Sequence, residues 1–394
     1  MTDHAARMAR ILETHQDVVH VGGSTEALIK RDELLVLGAH ADAVHEQARQ
    51  WVDSREDFAE LGVSRLRLRA GAGVDAADLT HSLRGGAGAH RRTSVTPNHV
   101  MSGAPNWTGG PFGAPTPAAD LPAPVDAEGG GRRATIGILD TGIDPHPWFA
   151  EADWYQACTE TEHEDLDPAS EDDLESDSGH GTFIAGVILQ HAPGTYLRVQ
   201  RVLGTDGVTD ELELLHGLRR LHARAAAESN RLDVLNLSLG CFTFDDRPSP
   251  VLADAFARVA RHSVIVAAAG NHSSDRPYWP AALKDVVAVA ALAQADTDGP
   301  ERASFSNYGW WVDASAPGEK VSSSFLTHGR ENGEDFHGFA TWSGTSFAAP
   351  YVAGKIAALM SAKDMTARDA LSELLDPANT RIPDLGVVVA SDGR

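Results

Sequence analysis

The sequence predicts an α/β protein: a three-layer domain with a mostly parallel sheet, preceded by a small α+β domain. Three observations carry this. Strand-like apolar runs alternate with helix-length segments from Arg132 onward. Those strands are apolar throughout, the mark of a parallel sheet covered on both faces. A stretch dense in Pro and Gly separates them from a more polar N-terminal region. The chain of 394 residues is too long for one ordinary core, which also favours two domains.

In the N-terminal region, 1–95, DELLVLG (33–39) and VSRLRLR (63–69) read as strands, the second by its alternation. AHADAVHEQARQWVDS (39–54) and DAADLTHSLR (75–84) read as helices, with Asp75 placed to cap the second. Residues 96–131 read as a linker or surface-hugging extension, because their Pro and Gly content does not suit a packed core. Residues 132–375 form the main domain, and 376–394 read as a C-terminal tail. Within the main domain the strands ATIGIL, YLRVQRVL, VLNLSL, SVIVAAAG and VVAVAAL alternate with segments such as TDELELLHGLRRLHARAAA. Ligands of such folds bind at the carboxyl ends of the strands, where the chemistry-bearing residues fall.

Composition narrows the partners. A formal charge of −23 disfavours nucleic acid and anionic membranes, and leaves peptides or proteins as the compatible class. The N-terminus has no apolar core and cleavage site of a secretory signal, and no apolar run is long enough to span a bilayer. Two distant cysteines, Cys158 and Cys241, read as reduced thiols, although their pairing stays open. Cytoplasmic residence is the expectation, with export by a non-standard route as the alternative.

Four segments carry chemistry. TIGILDTGID places Asp140 directly after an apolar strand, where an acid can be held against a histidine. DSGHGTFIAG sets His180 at the mouth of an apolar helix, a position suited to a general base. TWSGTSFAAPYVAGKIAALM puts Ser346 at the mouth of a long helix whose free N–H groups and dipole favour a negative charge. Pro350 is expected in the first turn of that helix, where a missing N–H costs little. AAAGNHSSD sets Asn271 after a buried strand, from which its amide can donate toward the same charge. Each segment alone has an ordinary structural reading: a turn cap, a surface histidine, an N-cap serine, a Gly-Asn turn.

In the order Asp, His, Asn, Ser, the motifs DTGID, GHGTFIAG, AAGN and SGTSFAAP resemble the subtilisin family of serine proteases over roughly residues 132–362. The resemblance implies that Ser346 is the nucleophile, His180 the general base, Asp140 its orienting partner and Asn271 an oxyanion donor. It also implies that Ser238, Leu239 and Gly240 pair with extended substrate, while Ala268, Ala269 and Gly270 line the opposite wall of the pocket before the scissile bond. FSNYGWWVDASAPG (305–318) resembles a structural part of the family. The implied activity is a serine endopeptidase with self-processing in the linker, and with the N-terminal domain as a propeptide-like inhibitor.

The sequence leaves two other readings: a sedolisin-type peptidase, which His180 and Asn271 oppose, and a catalytically silent peptide-binding module. No cofactor is required by the implied chemistry; structural calcium is compatible but cannot be assigned from spacing. The acidic stretch TETEHEDLDPASEDDLESDSG between Asp140 and His180, with Asp275 near the pocket rim, suggests selectivity for basic side chains before the scissile bond; a solvated loop is the plainer alternative.

Overall fold

The computed structural model describes residues 9–22, 27–85, 94–103, 113–125, 132–163, 174–228, 231–294, 299–331 and 334–389. In the N-terminal domain the described elements are β1 (Val18–Val21), β2 (Ala27–Leu37), α1 (Ala41–Ala48), β3 (Val52–Phe58), β4 (Val63–Leu68), α2 (Ala76–Gly85) and β5 (Val95–Gly103). Its antiparallel sheet runs β5-β2-β4-β3, with β1 also on β2. Two βαβ units are thus interleaved, β2-α1-β3 and β4-α2-β5. The Asp75 carboxylate accepts the Asp78 N–H at 2.8 Å, capping α2.

The helix expected over 39–54 ends at Ala48, and its tail turns into β3. β3 is an edge strand with only Val52 buried, so it shows no alternation. Its charges are matched by neighbours instead: Arg55 bonds Asp42 and Asp57, and Glu56 bonds Arg65. The boundary drawn at residue 95 also needs correction, because 95–103 is not linker. β5 is buried along nearly its whole length, and Pro97 is tolerated where the β2 register shifts between Ile29 and Leu34. Residues 113–125 do hug the main domain: Thr116 and Pro117 pair with Thr341 and Ala340.

The main domain contains β6 (Thr135–Asp140), α3 (His180–His191), β7 (Tyr196–Arg201), β8 (Val208–Asp210), α4 (Glu211–Ala227), β9 (Val234–Leu237) and β10 (Leu239–Gly240). There follow α5 (Pro250–Val259), β11 (Val264–Ala268), β12 (Val287–Leu292), β13 (Ala314–Pro317), α6 (Thr345–Lys363), α7 (Ala367–Leu374), β14 (Arg381–Ile382) and β15 (Gly386–Val388). The sheet order is β14-β15-β13-β12-β11-β9-β6-β7, parallel except for the β14–β15 pair. The expected C-terminal tail is therefore partly sheet, because the apolar Leu385–Val389 run adds an edge hairpin beside β13.

Alternate residues explain why the strands are apolar on both faces. Ile136, Ile138 and Val266 pack with α3 and α6 through Phe183, Ile184 and Val352. Leu139, Leu235 and Ile265 face α4 and α5 through Leu215, Leu221 and Phe256. Leu35, Val63 and Met101 of the N-terminal sheet join this second core, while Leu34, Val36 and Leu66 face α1 and α2. The N-terminal sheet thus packs its second face on α4 and α5.

Candidate active site

Asp140 ends β6 and is fully buried. One of its oxygens, Oδ1, accepts from the Thr141 N–H at 2.8 Å and from Nδ1 of His180 at 2.7 Å. A carboxylate only accepts, so Nδ1 carries the proton and Nε2 is the basic nitrogen. His180 is the first residue of α3, and its ring packs edge-on to Trp342 and against Phe347, each with centroids 5.5 Å apart. Helix and strand end meet very closely: a Cβ on Gly181 would lie 2.1 Å from the Gly142 carbonyl oxygen. Only glycine at 181 permits that approach.

Ser346 lies in the first turn of α6, fully buried, with Oγ 3.4 Å from the Ser238 carbonyl oxygen. Pro350 sits one turn further into the helix than expected. Lacking an N–H, it leaves the Ser346 carbonyl without its helical donor. The Ser238 hydroxyl fills that role at 2.8 Å, and itself accepts from Nδ2 of Asn236 at 3.1 Å.

Asn271 is fixed by Thr345. Its Oδ1 accepts both the N–H and the hydroxyl of Thr345, each at 2.9 Å, while Thr345 Oγ1 accepts the Gly270 N–H at 3.0 Å. With Oδ1 engaged twice, the orientation of the amide is set and Nδ2 is its donor end. Gly270 has φ +96°, a left-handed conformation that suits glycine. Asn307 braces the loop: its Oδ1 accepts from the N–H groups of His272 and Ser274, and its Nδ2 donates to the Ala269 carbonyl. Ala268 ends β11, and Ala269 N–H bonds the Val289 carbonyl at 2.9 Å. Asp275 is exposed beside Arg276, which pairs with Asp246 at 2.8 Å.

Strand β5 of the N-terminal domain lies along this site. Its Gly103 and Ser102 pair antiparallel with Leu239 and Gly240. On its other edge Ser102, Met101 and Val100 pair with Val208, Thr209 and Asp210, and Gly103 N–H bonds the Gly207 carbonyl at 2.9 Å. β5 is the middle strand of three, flanked on both sides by the main domain. A Cβ on Gly103 would lie 2.7 Å from Oδ2 of the buried Asp177.

Three contacts clamp the domains together: Arg84–Asp245 at 2.5 Å, His99–Glu211 at 2.8 Å and His15–Asp206 at 2.7 Å. Each puts a basic side chain of the N-terminal domain against an acid of the main domain. The second is fully buried, and Ser249 also donates to Glu211 at 2.6 Å.

Cys158 and Cys241 are both free, and burial pushes the Cys158 thiol up to about 12. Among the described residues no group of three or more His, Cys, Asp or Glu is placed to hold a metal ion. Positions 164–173, the middle of the acidic stretch, lie outside the described residues. Among the described residues no helix is long and apolar enough to cross a membrane.

With strand ends, helix mouths and groove in this arrangement, comparison with known proteins is unambiguous. The sequence profile of the subtilase family matches residues 131–386, and the chain belongs to that family. It is 32% identical over 267 residues to the Minor extracellular protease Epr of Bacillus subtilis (strain 168), covering 65% of this chain and 36% of that protein. It is 34% identical to the Thermophilic serine proteinase of Bacillus sp. (strain AK1), covering 60% of this chain and 54% of the relative. With Subtilisin BL of Lederbergia lenta the identity is 32%, over 59% of this chain and 78% of the relative. The chain thus spans between about a third and somewhat over half of the first two relatives' lengths. In fold it resembles fervidolysin from Fervidobacterium pennivorans, described as a keratinolytic enzyme related to subtilisin. The TM-score is 0.61 at 19% identity, over 92% of this chain and 60% of that one.

Thr345, Asn236 and Asn307 were not singled out from the sequence. Thr345 had a signal, since it adjoins Ser346; the other two act through contacts that only the fold creates.

Proposed function

We propose that the chain is a serine endopeptidase held latent by its own N-terminal domain. The observation that carries the reading is the buried 2.7 Å bond from His180 to Asp140, beside a helix mouth that presents Ser346. Ser346 Oγ attacks the scissile carbonyl and gives its proton to Nε2 of His180, while Asp140 stabilises the imidazolium. Nδ2 of Asn271 and the Ser346 N–H hold the oxyanion. The C–N bond then breaks, the leaving amine takes the proton back from His180, and water hydrolyses the acyl-enzyme by the same route in reverse. These groups supply nucleophile, base and charge stabilisation, so the reading requires no cofactor.

The substrate is an extended peptide or protein segment that takes the place of β5 between β8 and β10, bound chiefly through main-chain hydrogen bonds. Self-cleavage downstream of Gly103 would release the latch. Reaction with a fluorophosphonate probe tests the catalytic reading. The intact chain labels slowly, limited proteolysis that removes the N-terminal domain accelerates labelling, and Ser346→Ala abolishes it. A silent peptide-binding module would give no labelling in either state.

Two free thiols support cytoplasmic residence. The word extracellular in the name of one relative supports export instead. Cell fractionation decides between them.

A further inference from the structure

A second cavity, of about 720 Å³, lies on the helical face of the main domain between α4 and α5, closed on one side by the β3–β4 turn of the N-terminal domain. Its walls are aliphatic, from Leu61, Leu215, Leu218, Leu232 and Val259. Its polar rim is basic on a chain of net charge −23: Arg219, His222, Arg231, Arg258 and His262, against one carboxylate, Glu60. Arg258 is engaged, by Asp254 and by the Leu61 carbonyl at 3.3 Å. Arg219, Arg231 and His262 have no side-chain hydrogen bond or ion pair among the described residues. The buried Nε2 of His222 also has no partner among them. Burial, with smaller contributions from His262 and Arg219 close by, holds the His222 imidazole below its ordinary range.

We infer that this cavity binds a long-chain carboxylate, its tail among Leu61, Leu215, Leu218 and Val259 and its head group at Arg219 and Arg231. The volume is that of a small-molecule site. The aliphatic walls, from Leu61, Leu215, Leu218, Leu232 and Val259, suit an alkyl chain. The guanidinium groups of Arg219 and Arg231 supply the bidentate donors that carboxylates take. Leu61 belongs to the N-terminal domain and the remaining walls to the main domain. The ligand therefore bridges both and by mass action favours the docked, latent state. This inference does not depend on the peptidase reading.

Calorimetry on the full-length Ser346→Ala chain tests it, with dodecanoate, dodecanol and dodecyltrimethylammonium below their micellar concentrations. Dodecanoate is expected to bind one to one, dodecanol at least about tenfold more weakly, and the cation not at all. Arg219→Glu/Arg231→Glu, a change of two exposed residues, should weaken dodecanoate about tenfold or more while leaving dodecanol binding and the melting temperature unchanged. Absent dodecanoate binding, equal affinity for the alcohol, or indifference to the charge reversal would each overturn the inference.

Discussion

The Ser238 hydroxyl donates a 2.8 Å hydrogen bond to the Ser346 carbonyl, the one acceptor that Pro350 strips of its helical donor. The helix mouth bearing Ser346 is thereby tied to the strand that faces substrate. Ser238→Ala leaves a buried carbonyl unpaired, which costs about 1–3 kcal/mol of stability. It should also lower kcat, by about tenfold, through misplacement of Oγ. Pro350→Ala returns an N–H within reach of that carbonyl. The double variant should therefore recover stability relative to Ser238→Ala, and denaturant midpoints for the four proteins of the cycle measure this. Strict additivity would show that Pro350 and Ser238 do not share the acceptor.

Thr345 holds Asn271, the proposed oxyanion donor, through Asn271 Oδ1 and the Gly270 N–H. Thr345→Val keeps the shape of the side chain but removes its donor and acceptor, so that of the two Thr345 donors only the backbone N–H still holds Asn271 Oδ1. A fall in kcat is expected, smaller than the about 10²–10³ that loss of an oxyanion-hole Asn costs in subtilisin. KM should change little, because the interaction matters mainly in the transition state. Thr345→Ser should restore most of kcat. A loss confined to KM would assign Thr345 to substrate binding instead.

The site was more legible in the sequence than the domain in front of it. Asp140, His180, Asn271 and Ser346 sit in short Gly-rich motifs at strand ends and helix mouths, where local chain geometry dictates residue type. Strand β3 lacks such a signal, because an edge strand with one buried residue is stabilised by charge pairs across strands, Glu56 with Arg65 among them. β5 was hidden for a related reason. VTPNHVMSG reads as a breaker-rich stretch, and becomes a strand only because β2, β8 and β10 all offer it partners. Long-range pairing of this kind has no local periodicity to betray it.

Asp177 makes a prediction about substrates. Gly103 of β5 leaves no room for a side chain before Oδ2 of Asp177, and the proposed function puts substrate in that place once β5 departs. A lysine or arginine there can reach the carboxylate, and a glutamate meets like charge. In the activated protease, peptides with a basic residue at this position should be cleaved about tenfold faster than glutamate analogues, with the preference shrinking as salt screens it. Asp177→Asn should level the two substrates. Equal rates in the unaltered protease at low salt would sink the idea. Within the latent chain, Gly103→Ala should unseat β5 and shorten the lag before activity appears.

Buried His146 and half-buried His191 make the fold sensitive to acid. His146 donates from Nε2 to the Gly338 carbonyl at 2.8 Å and accepts the Trp148 N–H on Nδ1 at 3.1 Å, so both nitrogens are used by the neutral ring. Burial pushes its pKa down to about 4. Burial does the same to His191, down to about 4, with the Lys355 cation adding to the effect, and its ring packs on Tyr351 at 4.1 Å. A folded-state pKa below the unfolded value of about 6.5 means that the unfolded chain binds the proton first. Stability is then constant above about pH 6.5 and falls as pH drops toward 4, by at most about 3 kcal/mol per histidine at pH 4. Asp313, whose carboxyl burial pushes up, contributes in the opposite sense, so the histidine contribution must be isolated by substitution. The melting temperature of the Ser346→Ala chain should decline between pH 6.5 and 4.5, and His146→Gln, itself less stable at pH 7.5, should show a shallower decline. A flat profile, or an unchanged slope in the variant, would mean that His146 is protonated in the folded chain, against its acceptance of the Trp148 N–H on Nδ1.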